Sequence, residues 1–310
     1  MELLTSLRFF SMLVIVWAPF VGAAETTQKT GYEIKLYNGG WSLPLQDYNV
    51  RLITAALDVS SDSYGPYTLE LYPDELSLER ADAMLGEGVE VNCRMDSFRV
   101  DLSKGSKYQS IALPSQVNIV GLRAMIVKQS ELAKFSVLNT VEGFLTLKPG
   151  QGEDWPDVAV YEHHGITVGK ANSFDLIMPM LNHGRFDYIP LSIMEAYQFL
   201  EGYRDGKHGL SIVPNHYIFY SMPFYLAYPS TRPEIAERIS FGIEQLYKSG
   251  ALQAINEAQL AQMQPRFDAT SKIFVLDNPF LERSKNEEIY RYASEEYFSN
   301  GAVIYRIPTI

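Results

Sequence analysis

The residues best placed for ligand chemistry lie in a glycine-bearing loop, residues 148–156, which reads KPGQGEDWP. Main-chain N–H groups at the start of a helix can hold an anion, so Gly150 and Gly152 are candidates for a carboxylate site that Trp155 would close over. Two acidic residues in the same loop would repel an anion, and an ordinary turn with a helix cap is the alternative. The Gly-Lys-Ser/Thr ending of a nucleotide-binding loop is missing from these residues.

Three other side chains have the chemistry to contact a solute. Trp41 follows two glycines at the end of an expected strand, and α/β sheets place ligands at the carboxyl ends of their strands. An indole there would stack on an apolar or cationic part of a solute, and a buried core tryptophan is the alternative. Arg185 and Asp187 alternate on an expected strand and share one face, where they can reach a ligand or pair with each other. Asp187 would suit an amine.

The motifs of common enzyme and metal sites do not occur in this sequence. Gly-x-Ser-x-Gly, His-Glu-x-x-His and Cys-x-x-Cys are all absent. His163 and His164 are adjacent, so on a helix they cannot grip a metal in the way that an i, i+4 pair can. Cys93 ends the probable strand VEVNC and is expected to be a packed thiol. We therefore expect a protein that is not an enzyme and that needs no cofactor and no metal.

Composition and charge narrow the possible partners. The 310 residues are 46% hydrophobic and 20% charged, as in a globular protein with a sizeable core, and Lys plus Arg number 26 against 37 Asp plus Glu. The resulting net charge of −11 would repel a phosphate backbone, so nucleic acid is a poor partner. A single cysteine permits no intramolecular disulfide bond.

The N-terminal residues have the pattern of a secretory signal peptide. Residues 9–21 form the apolar run FFSMLVIVWAPFV, preceded by Arg8 and followed by Gly-Ala-Ala. A helix that spans a bilayer needs about 20 apolar residues, and this run is shorter. We therefore expect residues 1–24 to be removed on export, and a single thiol in an exported chain fits the bacterial periplasm. A buried N-terminal helix is the alternative.

Short apolar runs alternate with segments of helical spacing after residue 31, which predicts an α/β protein. Strands are expected at residues 32–37, 89–91, 144–147 and 185–188. Helices are expected at residues 48–57, 79–85, 157–164 and 174–181, and after a capping box at residues 231–234. The pattern Met-Leu-x-x-Gly occurs at residues 84–88 and again at 180–184, each time between an expected helix and an expected strand. This repetition predicts two lobes of similar build.

The order of these motifs resembles that of the periplasmic solute-binding proteins of family 3, the amino-acid-binding type. The resemblance lies in four stretches: LERADAML with Gly88, MDSFR at residues 95–99, ANS to GRFD at residues 171–187, and PEIAERISFGIEQLYKSGALQAI at residues 233–255. Together they span nearly all of residues 31–260. MDSFR stands where the family usually has a Thr/Ser-x-x-Arg segment.

The resemblance implies an α/β fold of the type II periplasmic binding protein, in which two lobes close like a Venus flytrap and the chain crosses twice between them. Lobe 1 would comprise residues 31–124 plus 218–310, and lobe 2 residues 125–217. The segments 121–127 and 217–228 would make the crossings. Residues 274–310 run past the usual end of the family and are expected to pack on lobe 1.

The resemblance also implies a function. An amino acid or a related carboxylate would bind between the lobes for delivery to an ABC-type importer. Arg99 matches the arginine that forks onto the ligand carboxylate in the family, and a surface arginine is the alternative. The expected partners are the small-molecule solute and a membrane permease or membrane sensor, and the chain is expected to be a monomer. A periplasmic sensory protein that signals without transport is the alternative function.

Overall fold

The computed structural model of the protein describes residues 31–96, 107–113, 120–153, 155–202, 209–263 and 267–310. Arg99 and the expected signal peptide lie outside these ranges. Within them the helices are α1 (Leu43–Val59), α2 (Ser61–Tyr64), α3 (Leu78–Glu87), α4 (Leu132–Ser136), α5 (Val141–Leu145), α6 (Asp157–His163), α7 (Phe174–Asn182), α8 (Ile193–Gly202), α9 (Pro233–Lys248), α10 (Ala251–Met263) and α11 (Arg283–Glu296). None of the helices in these ranges is long and apolar enough to cross a membrane.

The first sheet combines the first four strands of the described chain with one much later strand. Its strands are β1 (Tyr32–Tyr37), β2 (Tyr67–Leu71), β3 (Cys93–Asp96), β4 (Tyr108–Ala112) and β10 (Tyr225–Pro229), in the spatial order β2-β1-β3-β10-β4. Strand β1 is parallel to β2 and β3, whereas β10 is antiparallel to β3 and β4. Because β10 lies between β3 and β4, the first sheet is completed only after the chain has formed most of the second lobe.

The second sheet has the spatial order β12-β11-β9-β5-β8. Its strands are β5 (Leu122–Lys128), β8 (Ile189–Ser192), β9 (Leu210–Tyr220), β11 (Lys272–Leu276) and β12 (Val303–Arg306). Strand β5 is antiparallel to β8 and β9, and β11 is parallel to β9 and β12. A small parallel pair, β6 (Gly150–Gly152) and β7 (Gly169–Ala171), lies beside β8 through the Pro149–Tyr188 bridge.

The C-terminal segment belongs to the second sheet, so the expectation that residues 274–310 pack on lobe 1 is wrong. Strand β11 pairs with β9 from Lys272↔His216 to Leu276↔Tyr220. The ring of Phe274 stacks on Phe144 at 4.5 Å between centroids, which gives the segment an aromatic anchor in the second lobe. After α10 the chain therefore crosses a third time from the first lobe to the second, where the sequence predicted two crossings.

Local capping explains where the elements agree with the sequence and where they differ. Helix α3 ends at Gly88, as the sequence predicted. Gly88 has a φ of +69°, a left-handed conformation that glycine adopts at low energetic cost. The strand expected at residues 144–147 is wrong: Thr140 accepts a hydrogen bond from the Gly143 N–H at 3.0 Å and starts the short helix α5. The strand expected at residues 89–91 is also wrong, since β3 begins at Cys93.

The two lobes are in contact through helices as well as through crossing segments. Helix α8 of the second lobe packs on α1 and α10 of the first, while α1 packs on α9. At Gly242 in α9 a Cβ atom would collide with the Ala56 carbonyl, so the absent side chain lets α1 and α9 approach closely. The buried Cys93 thiol lies in the core of the first lobe, and burial raises its pKa to about 12.

Candidate functional site

A cavity of about 600 Å³ opens where the two lobes meet. Its lining combines residues from the first lobe, from the crossing segments and from the second lobe. They are Gly40, Trp41, Ser42, Val120, Arg123, Trp155, Pro156, Asp157, Leu191, Glu195, Gln198, Phe199 and Met222. The volume lies in the range that holds a small molecule, and we call this cavity the cleft.

Trp41 forms the first-lobe wall of the cleft. It follows the turn after β1, and Gly40 has a φ of +79°, which a glycine adopts readily. The indole N–H donates to the Met95 carbonyl at 3.1 Å, and the ring packs against Phe224 at 5.6 Å between centroids. The indole is therefore held in place on one side and remains partly exposed on the other. This is the geometry of a fixed aromatic wall.

Trp155 forms the wall opposite, at the start of α6 in the second lobe. The main-chain N–H of Trp155 donates to the Gly152 carbonyl at 3.0 Å, and this hydrogen bond closes the tight turn before the helix. A Cβ atom on Gly152 would lie 2.6 Å from the indole nitrogen, closer than such atoms approach. Gly152 therefore acts by making room for Trp155.

Arg123 lies buried at the base of the cleft on the crossing strand β5. Its Nη2 atom is 3.0 Å from Oδ1 of Asp157, and its Nη1 atom is 4.0 Å from Oε2 of Glu195. The guanidinium carbon also lies 5.1 Å from the ring centre of Tyr220, which donates a hydrogen bond to Asp157. Burial alone would lower the pKa of Arg123, but Asp157, Tyr220 and Glu195 outweigh it and the pKa is raised. Arg123 is therefore a fixed cation.

Glu195 is the partly exposed acid of this group. About a fifth of its side chain, 21%, is exposed, compared with 7% for Arg123 and 7% for Asp157. Desolvation raises the pKa of Glu195, and Arg123 and the nearby Ser42 hydroxyl act in the opposite direction. Two carboxylates against one guanidinium leave the cleft with an excess of negative charge when both acids are ionised.

The cleft can therefore bind a small molecule that carries an amine. Glu195 is placed to accept the amine, and the two indoles are placed to stack on the body of the ligand or on its cationic end. The guanidinium of Arg123 also lines the cleft, where it is the donor group for a ligand oxygen. No group of three or more His, Cys, Asp or Glu within the described ranges could hold a metal ion.

Other residues predicted for the site lie elsewhere. Gly150 is buried beneath the ring of Phe186, and its N–H donates to the Tyr188 carbonyl at 2.8 Å. Asp187 binds Nζ of Lys134 at 2.6 Å and accepts from the Lys148 N–H at 2.8 Å, so it joins elements within the second lobe. Arg185 is exposed and does not line the cleft. Arg99 lies outside the described residues.

Sequence reasoning missed the three charged residues of the cleft. Arg123 lies in the segment that was predicted to cross between the lobes, which is a sufficient reason to expect it near a site. Asp157 is the first residue of an expected helix and was interpreted only as part of that helix. Glu195 is the third residue after β8, and nothing in the sequence pairs it with an arginine 72 positions earlier.

The sheet topology and the shared cleft are those of the two-lobed periplasmic binding protein fold, and one solved structure with a TM-score above 0.5 supports this fold. A probable amino-acid ABC transporter extracellular-binding protein of Bacillus subtilis is similar over 74% of this chain and 98% of its own, with a TM-score of 0.53 and 13% identity. A structure that describes glutathione import through GshT and the cystine ABC importer of Streptococcus mutans aligns over 75% of this chain and 96% of its own, with a TM-score of 0.49 and 11% identity. No family model and no curated protein matches the sequence.

Proposed function

We propose that the protein is a periplasmic solute-binding protein that captures a small polar solute with an amine group, such as an amino acid, for delivery to an ABC-type importer. One observation carries the proposal: Trp41 of the first lobe and Trp155 of the second line the same cavity, with a buried guanidinium and two carboxylates at its base. The solved proteins with this fold include amino-acid-binding components of such importers.

The charges of the cleft assign a place to each part of an amino acid. The ammonium group would meet Glu195, the partly exposed carboxylate. A carboxylate oxygen would accept from the guanidinium of Arg123, which lines the cleft. The side chain would then lie between the indoles of Trp41 and Trp155. In this arrangement both charges of the zwitterion are paired and its apolar part is shielded from water.

Closure of the two lobes would couple the binding of the solute to recognition of the protein by the importer. The ligand touches both lobes only when they are together, so it shifts the population toward the closed form. The pivot would lie at residues 120–121 and 221–224, where the crossing segments run side by side. At Gly121 a Cβ atom would collide with the Tyr220 carbonyl, so glycine is needed for this approach.

The remaining parts of the proposal concern the surroundings of the protein. Residues 1–24 would direct export to the periplasm, where the closed form would meet a membrane permease. The lobe boundaries would follow the sheets: β1–β4, β10, α9 and α10 would belong to the first lobe, and β5–β9, β11 and β12 to the second. The protein would act as a monomer and would not catalyse a reaction.

A thermal-shift screen tests the function directly. The protein, purified from the periplasm, is screened against amino acids, small carboxylates, polyamines and sugars. A ligand present at 100 times its Kd adds about 2.7 kcal/mol to the free energy of unfolding. We expect an amine-bearing solute to stabilise the protein, and W41A and W155A each to weaken its binding at least tenfold, as measured by calorimetry.

The control variant is Y247A, which removes a half-exposed aromatic side chain from the outer face of α9, away from the cleft. It should bind the solute like the wild type. A solute whose affinity is the same in W41A, W155A and the wild type would place the binding site elsewhere. The absence of any stabilising solute in all four classes would contradict the proposed function.

A further inference from the structure

A second and larger cavity, of about 1080 Å³, lies away from the cleft. Helix α8 and strand β9 form one wall, α10 of the first lobe forms another, and α11 of the C-terminal segment forms the third. Its aromatic side chains are Tyr197, Tyr217, Phe267, Tyr292 and Tyr297, and we call it the tyrosine groove. The groove shares no residue with the cleft, although α8 contributes to both.

The floor of the tyrosine groove is built from packed, polar-tipped side chains. Tyr217 and Asn256 are 3% and 1% exposed, and Asn256 accepts a hydrogen bond from the Tyr48 hydroxyl at 2.8 Å. The ring of Tyr217 lies 4.8 Å from that of Phe267, and the rings of Tyr292 and Tyr297 meet edge to face at 6.2 Å. Two pairs of aromatic rings therefore line the groove at fixed angles.

The rim of the groove is acidic. Glu257, Asp268 and Glu296 line it, and no lysine or arginine is among its described lining residues. Burial, together with the charges of Glu296 and Glu257, raises the pKa of Tyr292 to about 12. Hydrogen bonds from Thr270 lower the pKa of Asp268, which keeps that carboxylate ionised. The rings therefore stay neutral, and the charged side chains among the described lining residues are all acidic.

We propose that the tyrosine groove is a second binding site, specific for an organic cation with an alkylammonium or guanidinium group. Such a cation is attracted both to the faces of aromatic rings and to carboxylates, and the groove provides five aromatic side chains and three acids. A neutral or anionic molecule of the same shape would gain only the apolar contact. The site differs from the cleft in its residues and does not depend on the proposed function.

The C-terminal segment makes this site possible. Tyr292, Glu296 and Tyr297 come from α11 and the residue that follows it, and α11 is held against the second lobe by β11 and β12. Helix α10, which carries Asn256 and Glu257, precedes the third crossing. The groove thus has α10, which precedes that crossing, on one side and α11, which follows it, on another, and a bound cation would touch both lobes.

Calorimetry with benzyltrimethylammonium as the probe, and benzyl alcohol as its neutral counterpart, tests the proposal on the full exported protein. We expect saturable binding of the cation and at least tenfold weaker binding of the alcohol. The double variant E257Q/E296Q should bind the cation about fivefold more weakly, since two partly screened ionic contacts are lost. D74N/E75Q makes the same change in charge on exposed residues outside the groove and should bind it normally.

The variants E195Q and W155A separate the groove from the cleft, whose indoles and carboxylates could also attract a cation. The binding event that E257Q/E296Q weakens should remain in both variants. Complete loss of benzyltrimethylammonium binding in E195Q or W155A, or full binding in E257Q/E296Q, would overturn the proposal. Equal affinity for benzyl alcohol and the cation would overturn it as well. The melting temperature of each variant is measured alongside, so that a folding defect is distinguished from a lost contact.

Discussion

The Nη2 atom of Arg123 lies 3.0 Å from Oδ1 of Asp157, and this ion pair joins a crossing strand to the first residue of a helix in the second lobe. Both side chains are 7% exposed. A buried pair of this kind is costly to break, because removal of one partner leaves the other as an uncompensated charge. The orientation of α6, and of Trp155 at its start, therefore depends on Arg123.

The first prediction concerns this pair. D157N should lower the free energy of unfolding by about 3–5 kcal/mol, because the Arg123 guanidinium keeps its charge without its nearest carboxylate. The double variant R123M/D157L, which removes both charges, should differ from the wild type by about 1 kcal/mol or less. Urea unfolding followed by circular dichroism measures both. If D157N were as stable as the wild type, the pair would have no structural role.

The second prediction concerns pH. The folded protein raises the pKa of Glu195 above its ordinary value of 4.5, so it binds the proton more tightly than the unfolded chain. The contribution of Glu195 to the free energy of unfolding then falls as the pH rises from about 4.5 through the folded pKa, above which the side chain is ionised in both states. E195Q lacks this penalty, so its stability relative to the wild type should increase over the same interval. Urea unfolding from pH 4 to pH 8 measures the difference, and a constant difference would contradict the shift.

The third prediction concerns the room that Gly152 leaves for Trp155. In a W41F background Trp155 dominates the emission of the mature chain, and G152A should shift that emission to longer wavelength because the indole is displaced into water. G250A is the control: Gly250 has a φ of +77° and nothing within 4 Å of its Cβ position. It should cost about 1 kcal/mol of stability and leave the emission unchanged. The same spectrum for G152A and its parent would mean that Trp155 does not pack on Gly152.

The fourth prediction tests whether the C-terminal segment is part of the second lobe. F274A should destabilise the protein by about 3–5 kcal/mol, since Phe274 is fully buried and stacked on Phe144. F280A is the matched control in the same segment, with a side chain that is 55% exposed, and should change the stability by about 0.5 kcal/mol or less. Equal effects of the two substitutions would contradict the packing described here.

The sequence predicted the walls of the cleft better than its base. Trp41 and Trp155 each follow a glycine turn beside an expected strand or helix, so local pattern was enough to select them. The contacts of Arg123 arise from tertiary folding, which brings Asp157 and Glu195 to it from 34 and 72 positions away. Alternation on a strand could not show that Asp187 binds Lys134 from an earlier helix.

The limits on predicting the fold have a similar physical origin. A short run such as FLTL at residues 144–147, with three apolar residues, fits a strand or a buried helix, and the Thr140 cap favours the helix. The apolar strand β11 could pair at the free edge of either sheet. Its choice of β9 follows from the register with Tyr217 and Phe219 and from the stack on Phe144, none of which the linear sequence specifies.

The third crossing has a practical consequence for observing the molecule at work. The first described strand begins at Tyr32 in one lobe, and the last strand ends at Arg306 in the other. A donor and an acceptor dye attached near these two positions would therefore travel with different lobes. Energy transfer between them would report each opening and closing event directly, in single molecules and without a label inside the cleft.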